Sequence, residues 1–454
     1  MVVSSFAIGL LGQKIFFLGF VDAILTCLFF NMLGVISVCY FSTFGPRFGL
    51  RQMVLSRYWF GWYGVKLIAF FNVLACIGWS SVNSIVGAQL IHAVNNDVPG
   101  FVGIIIIALC TLGVTFFGYK VVHVYEFWSW IPTFIVFLII LGEFAHSGDF
   151  VNIPMGVGVS EMGSVLSFGS VVYGFATGWT SYAADYTVYQ PRNQSRWKVF
   201  VSVWIGLMVP LLFTEFLGIA IMTATTINDG NNRYMEGYSA SGTGGLLAAV
   251  LFPPLGNFGK FCLVVLALSI IANNCPNIYS VALTMQVLGR WTQRVPRFIW
   301  TALGTGVYIA IAIPGYSHFE EVLENFMNFI GKPPSTATYF SMYILTCFPG
   351  YWLAIYEGIA FSEHLIYRRS MSAYDPTVYD QPSQLPPSFA AIFAFCCGIA
   401  GMVTGMSQVW FVGPIALHAG QAPFGGDVGF ELGFAFAFTS YAAARYFEKR
   451  YFGR

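Results

Sequence analysis

"SIIANNCPNIY", residues 269–279, sets Asn273, Asn274 and Asn277 around Pro276 in the middle of a long apolar run. Carboxamides are costly in an apolar medium unless they are paired, and the proline removes a backbone donor. Such a stretch makes sense only against its surroundings. Of the 454 residues, 57% are hydrophobic and 9% are charged, against about 25% charged in ordinary soluble domains, and mean hydropathy is +0.70. The chain reads as an all-α integral membrane protein. A net charge of +1 gives no reason to expect a nucleic-acid partner. The nine cysteines lie in apolar segments without metal-ligand or disulfide spacing, so neither a metal nor a cofactor is expected.

A hydrocarbon core about 30 Å thick requires about 20 apolar residues per helix. With that measure the chain divides into twelve segments: 1–18, 21–43, 64–92, 101–118, 128–145, 163–188, 199–225, 257–288, 298–314, 321–362, 388–407 and 428–446. Short cytoplasmic loops collect Lys and Arg. With the loop after segment 2 in the cytoplasm, 16 of the 21 basic residues, from Arg47 to Arg454, fall on that side. The expectation is a transporter domain over 1–446, with 447–454 as a cytoplasmic C-terminal tail.

Polar groups inside spans are functional candidates and tend to face the bundle interior. Segment 1 carries Ser4, Ser5, Gly9 and Gly12. Segment 3 carries Trp79 and Asn83, four apart and on one helix face. Segment 6 reads "GSVVYGFATGWTSYAADYTVYQP", with Gly174, Gly178, Trp179 and Asp185; segment 10 holds Asn325, Asn328 and Glu357. Each has a plainer reading. Gly and Ser let membrane helices approach closely, and amides join helices by hydrogen bonds. Trp79 and Trp179 suit packing or an interface anchor. Asp185 suits a cap or a pair with loop arginines, and Glu215 in "PLLFTEFLGIA" suits a buried pair; both are also candidates for proton coupling.

Taken together the pattern is more specific. Transporters interrupt helices with glycine at corresponding places in two halves, exposing backbone groups at mid-membrane. Segments 1 and 6 are the Gly/Ser-interrupted ones and lie five spans apart, the spacing of a five-plus-five inverted repeat followed by two further helices. Indole rings offer a stacking face and carboxamides offer donor and acceptor together. A flat, neutral heteroaromatic base matches both.

"GWSSVNSIVGAQL" (78–90), "SVLSFGSVVYGFATGWTSYAADYTVYQP" (164–191), "LALSIIANNCPNIYSVAL" (266–283), "SEHLIYRRSMSAYD" (362–375), "FGGDVGFELG" (424–433) and "YFGR" (451–454) closely resemble the fungal purine-cytosine permeases of the nucleobase-cation symport family. The resemblance covers almost the whole chain. It implies a twelve-helix leucine-transporter-like fold and proton-coupled import of cytosine, adenine, guanine and hypoxanthine at the plasma membrane, as a multi-pass protein of the lipid bilayer. By motif it also implies substrate-site roles for Ser5, Trp79, Asn83, Trp179, Asn274, Pro276 and Asn277. Uracil, allantoin, pyridoxine and thiamine are the alternative substrates within the same fold.

Two features depart from that family. Its members have a cytoplasmic N-terminal tail and a complete first helix, whereas Met1 falls partway through segment 1, so this segment is expected to be truncated. "KPPSTATYFSMYILTCFPG", 332–350, separates two family-like stretches, and joining Gly331 to Tyr351 restores a helix of ordinary length. A retained intron is the expectation, since Gly-Lys at 331–332 can be encoded GGT-AAG, which contains a splice donor. An intramembrane enzyme would need a nucleophile-base pair or a metal set, and neither HExxH nor GxSxG occurs. A channel would need a ring-forming filter motif, which is also missing from the sequence.

Overall fold

The computed structural model describes residues 1–328, 337–408 and 411–454, with side chains described for all of these except 119 and 317–349. In hydrocarbon every backbone N–H and C=O must be satisfied within the chain, which a helix does locally. The described residues are accordingly helical almost throughout. In chain order the main helices are α1 (Val3–Lys14), α2 (Phe20–Ser42), α3 (Arg57–Val94), α4 (Gly100–Phe116), α5 (Tyr119–Ser147), α6 (Val159–Thr177) and α7 (Ala183–Thr187). They continue with α8 (Arg196–Thr223), α9 (Arg233–Leu255), α10 (Asn257–Met285), α11 (Arg297–Asn328), α12 (Ala337–Ser362), α13 (Phe389–Gly405) and α14 (Gly429–Phe452). A two-residue strand pair, Ser407–Gln408 with Phe411–Val412, is the β-structure of the described residues.

Among the described residues, six helices are long and apolar enough to cross a bilayer, starting at Phe20, Arg57, Lys120, Arg196, Asn257 and Arg297, and α4 and α13 are shorter apolar helices. Large apolar side chains such as Phe29, Leu109, Phe127 and Trp128 point outward, as contact with lipid requires and contact with water penalises. Inside, α1 lies against α8 and α10 lies against α3.

Several expected segment boundaries move. Segment 3 begins at Arg57 and bends at Gly61, whose φ of 73° is open to glycine and whose missing side chain leaves space for the Pro386 carbonyl. The boundary expected between segments 9 and 10, at 315–320, falls inside the single helix α11. The loop expected between segments 7 and 8 contains α9, begun by Asn232, whose side chain accepts from the Tyr234 and Met235 backbone N–H groups at 2.9 and 3.0 Å. This helix kinks at Ser241 and Gly242, and Ser241 Oγ donates to the Gln89 carbonyl at 3.1 Å, so the insertion sits over the end of α3. Asn325, Asn328 and all of the expected insert 332–350 but its last residue, Gly350, lie outside the residues whose side chains are described.

At the end of the bundle where α12 and α14 finish, Glu363 is fully paired. It accepts from Arg368 Nε at 3.0 Å, Arg445 Nε at 3.1 Å and the Tyr441 hydroxyl at 3.1 Å. Arg445 in turn reaches Glu448 at 2.7 Å, and Glu448 accepts from the Ala390 N–H that opens α13. A buried carboxylate is tolerated there because each of its oxygens has donors.

Candidate substrate site

Segment 6 is not one helix. After Thr177 the chain makes a tight 3₁₀ turn, Gly178–Tyr182, and resumes as α7. Gly178 lowers helical preference, and the turn "GWTSY" follows with three residues that lose rotamer freedom in a helix. The break aims Trp179 and Tyr182 into the bundle; their rings meet edge to face at 5.5 Å. Across from it, Trp79 of α3 sits edge to face with Phe175 at 5.5 Å, with its indole nitrogen close to Gly178. Both indoles keep part of their surface uncovered.

The amides converge on the same break. Asn83 Oδ1 accepts from Ser4 Oγ of α1 at 2.6 Å. Asn274 Nδ2 donates to the Ser80 carbonyl at 3.3 Å and to Ser84 Oγ at 3.0 Å, both on α3. Asn277 Oδ1 accepts from the Tyr182 hydroxyl at 3.2 Å, and its Nδ2 donates back to the Asn273 carbonyl at 3.3 Å. Pro276 lies inside α10, buried, and withholds the donor that would otherwise face the Ala272 carbonyl. Two polar atoms stay unmatched: Asn83 Nδ2, a donor, and Asn274 Oδ1, an acceptor, are buried with no hydrogen-bond partner among the described residues. One more turn along, Asn72 Nδ2 donates to Ser280 Oγ at 3.1 Å and Thr284 Oγ1 at 2.7 Å. These bonds seal α3 to α10 on one side of the cluster.

Ser5, expected at the substrate site, and the two proton-coupling candidates Glu215 and Asp185 stand outside this cluster. Ser5 Oγ bonds the Val2 carbonyl and the Thr214 hydroxyl of α8, both at 2.7 Å. The serine that reaches Asn83 is Ser4, because one residue along a helix rotates a side chain by about 100°. Glu215 lies beside α1 and α2, where its Oε2 accepts from Asn31 Nδ2 at 2.5 Å. Asp185 accepts from the Gln52 backbone N–H at 2.8 Å. It lines a cavity of about 590 Å³ together with Arg51, Arg57, Arg297, Thr284 and Asp380. The cavity begins one to two helical turns beyond Asn277, at Leu283 and Thr284, and opens among the arginine-rich loops.

Sequence reasoning singled out Ser4 without its partner, and it missed Tyr182 and Asn72 in this network and Asn31 beside Glu215. Tyr182 had a signal, since "GWTSY" places an aromatic hydroxyl three residues after Trp179. Asn72 and Asn31 had only their amides in apolar runs. Glu357 is placed by the structure behind the break: its carboxylate accepts from the Tyr173 hydroxyl at 2.9 Å and from Thr177 Oγ1, and Thr177 also meets Thr180 at 3.1 Å. It holds the broken helix from outside the cluster.

Comparison with known proteins identifies the family. Residues 1–422 match the family model described as "Permease for cytosine/purines, uracil, thiamine, allantoin". The chain is 66% identical to purine-cytosine permease fcyB of Emericella nidulans over 100% of this chain and 84% of that protein. It is 45% identical to purine-cytosine permease FCY21 of Saccharomyces cerevisiae, again over 100% of this chain and 82% of the relative. Among solved structures, the inward-facing conformation of Mhp1 superposes with a TM-score of 0.69 at 14% identity, covering 99% of this chain and 88% of that one. That likeness is one of fold. With both the sequence and the fold in agreement, the chain belongs to the family of permeases for cytosine and purines, uracil, thiamine and allantoin.

Proposed function

We propose that this protein is a secondary active transporter that imports purine bases and cytosine by proton symport across the plasma membrane. The observation that carries the reading is the unmatched pair at the broken helix. Asn83 Nδ2 offers a donor and Asn274 Oδ1 an acceptor, both buried, and Asn83 stands one turn along α3 from the partly uncovered Trp79. A buried polar group left without a partner costs about 1–3 kcal/mol, so the site is complete only with a ligand that supplies an acceptor and a donor on a flat ring. The edge of cytosine carries both, as do the edges of adenine, guanine and hypoxanthine. Trp79 and Trp179 supply the stacking faces; Tyr182 and Asn277 form the adjoining wall.

The rest of the reading follows from the same frame. The broken segment 6 and the Gly/Ser-rich α1 are read as the paired elements of a five-plus-five inverted repeat with twelve crossings, and the distribution of basic loops supports a cytoplasmic C-terminus. The arginine-lined cavity beyond Thr284 is then the cytoplasmic exit. Asp185 and Glu215 are the two carboxyls considered for the coupled proton. Uptake of labelled cytosine under an acid-outside gradient, competed with a panel of adenine, guanine, hypoxanthine, uracil, allantoin, pyridoxine and thiamine, tests the substrate reading. Strong competition by the purine bases supports it; competition by a vitamin alone moves the protein to the alternative substrates.

A further inference from the structure

The buried carboxyl of Glu215 is incompletely satisfied. Its Oε2 accepts from Asn31 Nδ2, and the same amide nitrogen donates to the Cys27 carbonyl at 2.8 Å. Two acceptors fix which way the Asn31 amide points. That leaves Glu215 Oε1 and Asn31 Oδ1, two acceptor oxygens on neighbouring, fully buried side chains, with no hydrogen-bond partner among the described residues. An ionised carboxylate with an orphaned oxygen beside an orphaned amide oxygen is repulsive and unsolvated. A proton on Oε1 resolves both atoms together, since the resulting O–H can donate to an acceptor where none could otherwise receive. The titratable group that faces the Glu215 carboxyl from α2 is the Cys27 thiol; α1 meets Glu215 at its backbone, through Gly9.

Glu215 is joined to the base site by a single short helix. A Cβ on Gly9 would stand 2.2 Å from the Glu215 carbonyl oxygen, and a Cβ on Gly218 would stand 2.3 Å from that of Phe6, so α1 and α8 touch backbone to backbone at both places. One residue before Glu215, Thr214 meets Ser5 of α1 at 2.7 Å. One residue before Ser5, Ser4 holds Asn83 at 2.6 Å. A shift of α8 that follows a change at Glu215 must therefore move α1, and with it the Asn83 amide. Asp185 follows Tyr182 of the base site by three residues, but it differs in its pairing: it already accepts from the Gln52 backbone N–H in the arginine-lined cavity.

We propose that Glu215, positioned by Asn31, binds the coupled proton, and that α1 carries its protonation state to Asn83 at the base site. This rests on the proton-symport reading above. The test uses the full chain reconstituted in proteoliposomes, measuring cytosine exchange at equal pH and cytosine accumulation under an acid-outside gradient. In the unaltered protein accumulation should exceed equilibration at least tenfold. In Glu215→Gln, which keeps a neutral side chain of the same shape, the accumulation ratio should fall to about one, exchange should persist, and its pH dependence should flatten. Glu215→Asp should recover part of the gradient-driven accumulation. Asn31→Leu, made in case the first variant does not fold, should shift the pH profile of exchange in the unaltered-Glu215 background. Gradient-driven accumulation by Glu215→Gln equal to that of the unaltered protein overturns the proposal, as does an unshifted profile in Asn31→Leu. Failure of the unaltered protein to exchange any base would instead refute the substrate reading, and exchange without any response to the gradient would refute proton symport itself.

Discussion

Glu363 and Glu215 are both buried carboxyls in helical ends or spans, and they are treated in opposite ways. Glu363 has two arginines and a tyrosine hydroxyl on its oxygens. Glu215 has one amide on one oxygen and, among the described residues, only the weak thiol donor of Cys27 beside it. The first arrangement gives each carboxylate oxygen a donor and ties α12 to α14. The second leaves an oxygen whose needs change with protonation, in the contact between α1, α2 and α8. Complete pairing holds the scaffold; incomplete pairing marks the part that changes state.

The comparison breaks most easily at Arg445. Truncating it to alanine leaves Glu363 and Glu448 buried without their shared partner, at a cost of about 3–5 kcal/mol. A large drop in the melting temperature of detergent-solubilised protein is expected, with poor surface delivery in cells. Glu215→Gln should leave the same melting curve nearly unchanged, and equal damage from both variants would erase the distinction. Next in size is Asn277→Ala. It strands the Tyr182 hydroxyl and opens the wall of the base site, so apparent KM for cytosine should rise by a factor corresponding to about 1–3 kcal/mol. Unchanged uptake kinetics in a correctly delivered variant would return Asn277 to a helix-joining role.

The smallest expected effect sharpens the paired side. His364, next to Glu363, faces the Tyr374 hydroxyl through Nδ1 at 2.9 Å. Burial, then Arg196 and Arg368, push its imidazole down from 6.5 to about 4. Because the folded-state value lies below the unfolded one, the neutral ring supports the fold fully above pH 6.5, and that support is lost as pH falls from 6.5 toward 4. The melting temperature should decline across this window, and His364→Gln should decline less. Equal slopes would show that the paired end is insensitive to the ring.

Much of this arrangement was legible in the sequence, and the part that was not has a common physical origin. Hydropathy alone marked the long helices, and Gly178 with the following aromatic and β-branched residues marked the break. The amides around Pro276 announced a polar demand because hydrocarbon makes such groups expensive. What the sequence could not carry was rotational phase and distant pairing. Ser4 and Ser5 are equivalent in composition, yet only Ser4 faces Asn83, 79 positions away, while Ser5 faces Thr214, 209 positions away. Asn31 is one polar residue in an apolar run until α8 brings Glu215 against it, 184 positions on. The helix α9 was hidden because its Gly-Gly and Pro-Pro pairs read as loop, while packing over Gln89 holds it helical on both sides of its kink.

The backbone contacts of α1 with α8 also bear on how relatives can differ from one another. Gly9 and Gly218 each meet a carbonyl oxygen at a distance that leaves space for a hydrogen atom, and nothing about that requirement depends on what is carried. Divergence in diet should therefore be written at Trp79, Asn83, Trp179 and Asn277, the residues of the proposed base site. The two glycines should persist through every change of cargo, as the hinge pin that a whole lineage inherits in common.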